Sequence, residues 1–341
     1  MARKRDSQVG DPVAALGAAE RELLRETAMP GPFEPMKATL TDRPFSDPAW
    51  IFERKLDGVR ALAFRDPDGV RLLSRTGKTM RGYPEVAEGL GADECGRFVV
   101  DGEIVAFDGN VTSFEKLQRR MQLGRPDAAR RTGVRVYLYL FDVVWLDGYD
   151  VRRLPLRSRK GLLRRSLSFE EPIRFMTHRN ERGEELFEAA CEMGLEGLIG
   201  KRADSPYVTR RTRDWLKLKC HHEQELVIGG FTAPRGSRTD FGALLIGYHE
   251  DGELRYAGKV GTGFNRDTLR ALGAALRRLE RDTPPFADVS PVPKDTRWVE
   301  PRLVAQIGFG EWTRDGRLRH PRFLGLRDDK RPEDVVRERP S

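Results

Sequence analysis

The chain has 341 residues, a size at which two domains are expected. Lys and Arg number 61 against 53 Asp and Glu, a net charge of +8, and charged residues reach 33% against roughly 25% in ordinary domains. The 38% apolar share supports a core and excludes wholesale disorder, while no apolar run reaches the roughly 18 residues of a membrane-spanning helix. The N-terminal MARKRDSQVGDPVAALG lacks the apolar stretch of a secretory signal. Cys95, Cys191 and Cys220 are odd in number, widely spaced and without a CxxC. Reduced thiols in a cytoplasmic protein are therefore expected, with neither a disulfide framework nor a zinc cluster. Net charge points to a polyanion partner without naming one.

In chain order, residues 1–30 are polar and read as a flexible tail, with a short amphipathic helix around Ala14 to Arg25 as the equal alternative. From Trp50 to Phe107 short strands alternate with turns: 51–56, 59–64, 70–74 and 98–107 are rich in β-branched and aromatic residues, with DG and TG steps between them. Residues 136–146 (VYLYLFDVVWL) are nearly all apolar and read as a buried central strand. Helices are expected over 158–167 and 184–193, the second with Leu186, Phe187, Ala190 and Cys191 on one face. GLEGLIGKR (194–202) and DWLKLK (214–219) are short and strand-like. Past Cys220 the chain becomes a Gly-punctuated β unit, with strands expected over 225–231, 242–248, 253–260 and 303–309. A helix over 267–280 and a Pro-rich connection over 283–295 interrupt it. Several short strands with one helix fit a five-stranded barrel of the OB type. The expected division is 1–30 tail, 31–222 first domain and 223–341 second domain, with the boundary near 221–224.

Glu53-Arg-Lys-Leu-Asp-Gly-Val-Arg60 places Lys55 after a strand, on a tight turn. As a surface hairpin it would be unremarked. As a nucleophile, Lys55 faces a problem of protonation, since only about one free lysine amine in 2,500 is uncharged at pH 7. Desolvation or nearby positive charge, a metal ion included, is required. Downstream, in order, stand Asp101-Gly-Glu103, Leu140-Phe-Asp-Val-Val144, Glu196-Gly-Leu-Ile-Gly-Lys201, Trp215-Leu-Lys-Leu-Lys219 and Arg319-His-Pro-Arg-Phe-Leu-Gly-Leu-Arg327-Asp-Asp-Lys330. Lys217 and Lys219 share one face of a strand, because side chains alternate. Two ammonium groups on one face repel unless an anion lies between them.

This series resembles the nucleotidyl motifs of ATP-dependent DNA ligases, from about Pro35 to Lys330. Residues 231–237, 241–248 and 258–264 are similar to the ligase module of the bacterial end-joining enzyme ligase D and its stand-alone relatives. The resemblance implies an α+β chain: an adenylation (nucleotidyltransferase) domain of antiparallel sheets with flanking helices, then an OB-fold β-barrel domain. It implies that Lys55 attacks the α-phosphate of ATP, that AMP passes to the 5′-phosphate of a DNA nick, and that the 3′-hydroxyl then displaces it. Such in-line displacements depend on alignment and charge neutralisation.

By the same resemblance, Glu196 would hold Mg2+ or Mn2+, and Glu103 would contact the metal or the AMP ribose. Lys217 and Lys219 would flank the α-phosphate, Phe141 would stack on adenine, and Glu53 would accept from the adenine amine. Asp57 and Arg60 would lie near the nick, Arg60 clamping the 5′-phosphate, and Arg75 would make a further phosphate or AMP contact. Arg327, Asp329 and Lys330 would act on ATP from the second domain, through a hinge closure. The basic stretches Arg152–Arg165 and Lys201–Lys219 read as solvated faces or sequence-neutral DNA contacts.

Two departures stand out: Arg54 where relatives often have Pro, and Thr209-Arg-Arg211 where they often have a Gly-Arg pair. No N-terminal DNA-clamping domain, polymerase module or phosphoesterase module is read, so a stand-alone ligase or a ligase domain apart from its fusion partners is expected. The implied partners are nicked or broken double-stranded DNA and a Ku-type end-binding protein, with a monomeric, nucleoid-associated cytoplasmic enzyme and no membrane. The rivals are an RNA ligase, a capping guanylyltransferase or a non-catalytic OB-fold DNA-binding protein. The segments of the second domain disfavour the first two, and the joint presence of Lys55, Glu196 and Lys217 disfavours the third.

Overall fold

The structure is a computed structural model that describes residues 13–93, 96–121, 123–234 and 239–340. It divides into two compact units, Met1–Cys220 with Pro340–Ser341, and His221–Arg339. Among the described residues no helix is long and apolar enough to cross a membrane.

The first unit holds two sheets. The larger is centred on two long neighbouring strands, Phe98–Asp108 and Val136–Leu146, with Val59–Asp66 and Gly69–Ser74 continuing it on one side. The smaller runs Arg179–Glu181, Asp47–Arg54, Gly197–Arg202, Arg211–Lys219, Lys37–Leu40. Pairing is antiparallel except where Ile173–Phe175 lies parallel to Val136–Leu146 and Lys37–Leu40 lies parallel to Arg211–Lys219. Between the sheets lies a core that includes Phe64, Val99, Phe141, Trp145, Tyr207 and Trp215. The outer face of the larger sheet carries a second core with Val86, Leu90, Leu117, Leu162 and Leu163 from three helices. Each such side chain taken from water stabilises the fold by about 1.5–3 kcal/mol before entropy is counted.

The second unit is a six-stranded sheet with a separate short hairpin, Glu311–Trp312 paired to Leu318–Arg319. The helix Arg266–Arg277 packs Leu269, Leu272 and Leu276 into its core and is capped by the Asn265 side chain, which accepts from the Thr268 N–H.

The structure departs from three expectations. Val13 and Leu16 are buried in the first unit's core, Arg25–Glu26 pair with Tyr149–Asp150, and Ala18–Arg21 form a short helix, so from residue 13 the segment is anchored and agrees with the helix alternative over the tail. Helices Pro84–Gly91, Phe114–Met121 and Pro126–Arg131 stand where no helix was read. Cys191 and Cys220, expected as reduced thiols, form a disulfide. The helix Gly183–Glu192 packs beside the Gly197–Arg202 strand, and the end of the neighbouring Arg211–Lys219 strand brings Cys220 to it. Spacing along the chain carries no sign of that approach. Cys95 lies outside the described residues.

Candidate active site

Two rows of side chains face each other across the cleft between the sheets. On the smaller sheet, Glu53, Ile199 and Lys217 are directly paired across three strands, and Trp215 and Lys219 share the face of Lys217. On the larger sheet, Arg60, Glu103 and Tyr139 form the corresponding row. Period-two alternation thus brings together residues drawn from six segments of the chain.

Lys55 follows the Asp47–Arg54 strand, and its N–H donates to the Gly197 carbonyl at 2.9 Å. Its Nζ donates to Glu196 Oε1, with the two side chains only 17% and 14% exposed. Burial alone would depress the Lys55 ammonium, but Glu196, with Asp57 and Glu103 behind it, holds it above its ordinary value. The other Glu196 oxygen, Oε2, is buried with no hydrogen-bond partner. The lane between Lys55 and the Arg211–Lys219 strand is passable only to glycine at 197. That residue has φ +141°, and a Cβ there would lie 1.9 Å from the Leu218 carbonyl oxygen.

Arg60 meets Asp101 through two parallel bonds, Nε to Oδ1 and Nη2 to Oδ2 at 2.6 Å. Burial works against its charge, and the Asp101 carboxylate more than offsets this, holding the guanidinium above its ordinary range. Its guanidinium carbon stands 4.6 Å from the centre of the Phe141 ring and 5.6 Å from that of Trp215. Phe141 is 7% exposed, with the Lys201 ammonium 4.1 Å from its ring centre and Trp215 edge-on.

Glu53 does not lie open to the cleft. It is 3% exposed and spends one oxygen on Lys160 and the other on Lys201, the latter at 2.6 Å. Burial would raise its carboxyl, and the two ammonium groups instead hold it below the usual carboxylate range. The residue that the resemblance sets against the adenine amine thus stands here in a buried ion triad.

Asp57 receives the Phe114 N–H on Oδ2 at 3.3 Å, so it docks the start of the Phe114–Met121 helix, and its own N–H donates to Thr112 Oγ1. Arg75 lies half-buried in the turn after Gly69–Ser74, which the Gly77 N–H closes onto the Ser74 carbonyl. Arg327, Asp329 and Lys330 belong to the second unit. Arg327 and Asp329 form a buried bidentate pair at 2.9 Å, and Lys330 pairs with Glu225 at 2.6 Å.

The sequence assigns no role to Lys160, Arg159 or Tyr207, and none to Asp101 within its motif. A signal existed for the first two: the helix Leu156–Ser166 sets Arg159 and Lys160 at helical spacing with Leu156 and Leu163, on its buried side.

A lysine paired to a carboxylate between two sheets, with cations on both flanks and a small β unit following in the chain, is the architecture of a nucleotidyltransferase domain followed by an OB-fold. The ATP dependent DNA ligase domain family matches residues 35–219, and the ATP dependent DNA ligase C terminal region matches residues 237–330. The chain belongs to the ATP-dependent DNA ligase family.

It is 37% identical over 326 residues to the multifunctional non-homologous end joining protein LigD of Pseudomonas aeruginosa, covering 93% of this chain and 38% of that protein. A DNA ligase of Thermococcus fumicolans is 31% identical over 304 residues, covering 83% of this chain and 53% of its own length. Among solved structures, mycobacterial DNA ligase D complexed with ATP and MES matches with a TM-score of 0.63 at 35% identity, over 90% of this chain and 98% of that one. The chain spans about two fifths of the LigD proteins it matches.

Proposed function

We propose that this chain seals 5′-phosphate/3′-hydroxyl nicks or breaks in duplex DNA through a lysyl-AMP intermediate. The observation that carries the reading is the Lys55–Glu196 pair, shielded in a cleft whose other walls bear Lys217, Lys219 and Arg60. Lys55 Nζ gives its proton to the adjacent carboxylate and forms a bond to the α-phosphorus of ATP, while the bond to the departing pyrophosphate breaks. Lys217 and Lys219 neutralise the α-phosphate, Phe141 supplies the aromatic wall for adenine, and Arg75 adds a phosphate contact. Arg60 aligns the 5′-phosphate of the nick, with Asp57 beside it.

The unpartnered Glu196 Oε2 and the nearby Glu103 suit Mg2+ or Mn2+, which take hard oxygen ligands and retain water. Bound there, such an ion would neutralise phosphate charge. No group of three His, Cys, Asp or Glu clusters among the described residues, in keeping with an ion held chiefly by water and nucleotide oxygens. Arg327, Asp329 and Lys330 serve the ATP step. The end joining in the LigD relatives' names supports the same role here. On this reading the chain works at the nucleoid as a monomer, alongside a Ku-type end-binding protein.

The test incubates pyrophosphate-treated protein with α-labelled ATP or GTP and Mg2+, then adds a singly nicked duplex. Covalent label from ATP, absent in Lys55→Ala and discharged with nick closure, is the expected result. Labelling by GTP alone, or no labelling, overturns the proposal.

A further inference from the structure

Tyr207 lies between the strands Gly197–Arg202 and Arg211–Lys219, 4% exposed and edge-on to Trp215 and Phe33. Packing alone would account for its ring but not for its hydroxyl. That group donates to Asp101 Oδ2 at 2.6 Å and accepts the Met36 N–H at 3.1 Å. Asp101, fully buried, holds the Arg60 fork, and Arg60 Nη2 reaches on to the Met36 carbonyl at 3.3 Å. The four residues close a ring: Met36 N–H to Tyr207, Tyr207 to Asp101, Asp101 to Arg60, Arg60 to the Met36 carbonyl.

The ring has consequences for Arg60. A carboxylate gripped only by one guanidinium turns with it, whereas a third donor from a fixed direction locks its plane, and the planar fork transmits that plane to the arginine. Burial, and then the Asp101 charge, keeps the Tyr207 phenol far above its ordinary pKa, so the hydroxyl stays a donor at every working pH. Arg60 is the one member that reaches the cleft, over Phe141 and directly across from Glu103.

We propose that Tyr207 is a positioning residue: through Asp101 it fixes the plane of the Arg60 guanidinium, and thereby the alignment of the DNA 5′-phosphate during AMP transfer. This rests on the ligase reading and on the part it gives Arg60. A misplacement of a clamping group by about 1 Å is enough to slow such a step by up to about a hundredfold.

The experiment compares the wild-type chain, Tyr207→Phe, Arg60→Lys and the double variant. Two readouts are taken: lysyl-AMP formation from ATP without DNA, and single-turnover AMP transfer from pre-adenylated protein to a nicked duplex. Tyr207→Phe keeps the ring and its packing, and circular-dichroism melting checks the fold. The expected result is transfer slowed by about tenfold or more with lysyl-AMP formation within about threefold. Tyr207→Phe should then add no more than about twofold on top of Arg60→Lys, the mark of two residues acting as one unit. Transfer within twofold of wild type, an equal fall in both readouts, or fully additive losses would each overturn the proposal. Should Tyr207→Phe fail to fold, Arg60→Lys decides alone, since loss of the fork must produce the same split between the readouts. A wild-type protein that forms lysyl-AMP but never passes it to DNA overturns the ligase reading itself, a result seen before any variant is measured.

Discussion

At the scale of single residues, one arrangement buries three charges together: Glu53 faces both Lys160 and Lys201. Burial pushes the Lys201 ammonium down, Glu53 pulls it up and Lys160 presses it down, leaving it at about 8. Lys201 therefore carries fewer protons in the folded chain than in the unfolded one between about pH 8 and 10.5. Stability from this group rises with pH across that window, and the penalty stands in full below it. Wild type should gain on Lys201→Met by up to about 3 kcal/mol between pH 8 and 10.5, in urea titrations at stepped pH. A constant difference would mean that Lys201 is not depressed. At this scale the sequence was legible where the candidates stand in short contiguous motifs: Lys55, Glu103, Glu196, Lys217 and Arg60 all fall at the cleft. It was illegible where a partner comes from afar, since Lys160 reaches Glu53 across 107 positions and lies in a run that reads as solvated.

At the scale of elements, alternation made the strands legible, and the shared face of Lys217 and Lys219 followed from it. The helix Phe114–Met121 was not, because part of its start is set from outside, by an Asp57 carboxylate 57 residues upstream. The disulfide belongs here too. It closes a loop between Cys191 and Cys220 that contains Glu196, the Gly197–Arg202 strand, Lys217 and Lys219. The Cys220 N–H also donates to the Glu196 carbonyl at 3.0 Å, so the clasp sits against the backbone of Glu196 itself. With its ends 29 positions apart, loop closure restricts the unfolded chain by roughly 3–4 kcal/mol. Reductant, or Cys191→Ala, should remove about that much from the unfolding free energy of the first unit, read by urea melts with and without reductant. Identical melts would show that the bond does not form in solution.

For the whole molecule, a net charge of +8 says less than the placement of its cations. The run from Arg152 to Arg165 shows two fates in one helix and its approach. Arg152 pairs with Asp150, and Lys160 with Glu53. Arg159, wholly buried, grips Asp142 with two bonds and donates to the carbonyls of Leu154 and Ser205. Arg153, Arg157, Arg164 and Arg165 remain exposed. On the proposed function the exposed set is what this run offers to duplex phosphates, while the buried set only holds the fold. The two fates predict opposite signatures. Arg159→Gln leaves Asp142 buried and half-paired, and should cost about 3–5 kcal/mol in urea unfolding. It should leave the salt dependence of DNA binding unchanged at temperatures where the variant is folded. Arg153→Gln with Arg164→Gln should melt like wild type. It should also flatten the slope of log K against log salt for a nicked duplex by about 0.9 for each phosphate that is no longer neutralised. An unchanged slope in that double variant would assign the exposed arginines to solvent and move the search for the DNA-binding face elsewhere on the chain.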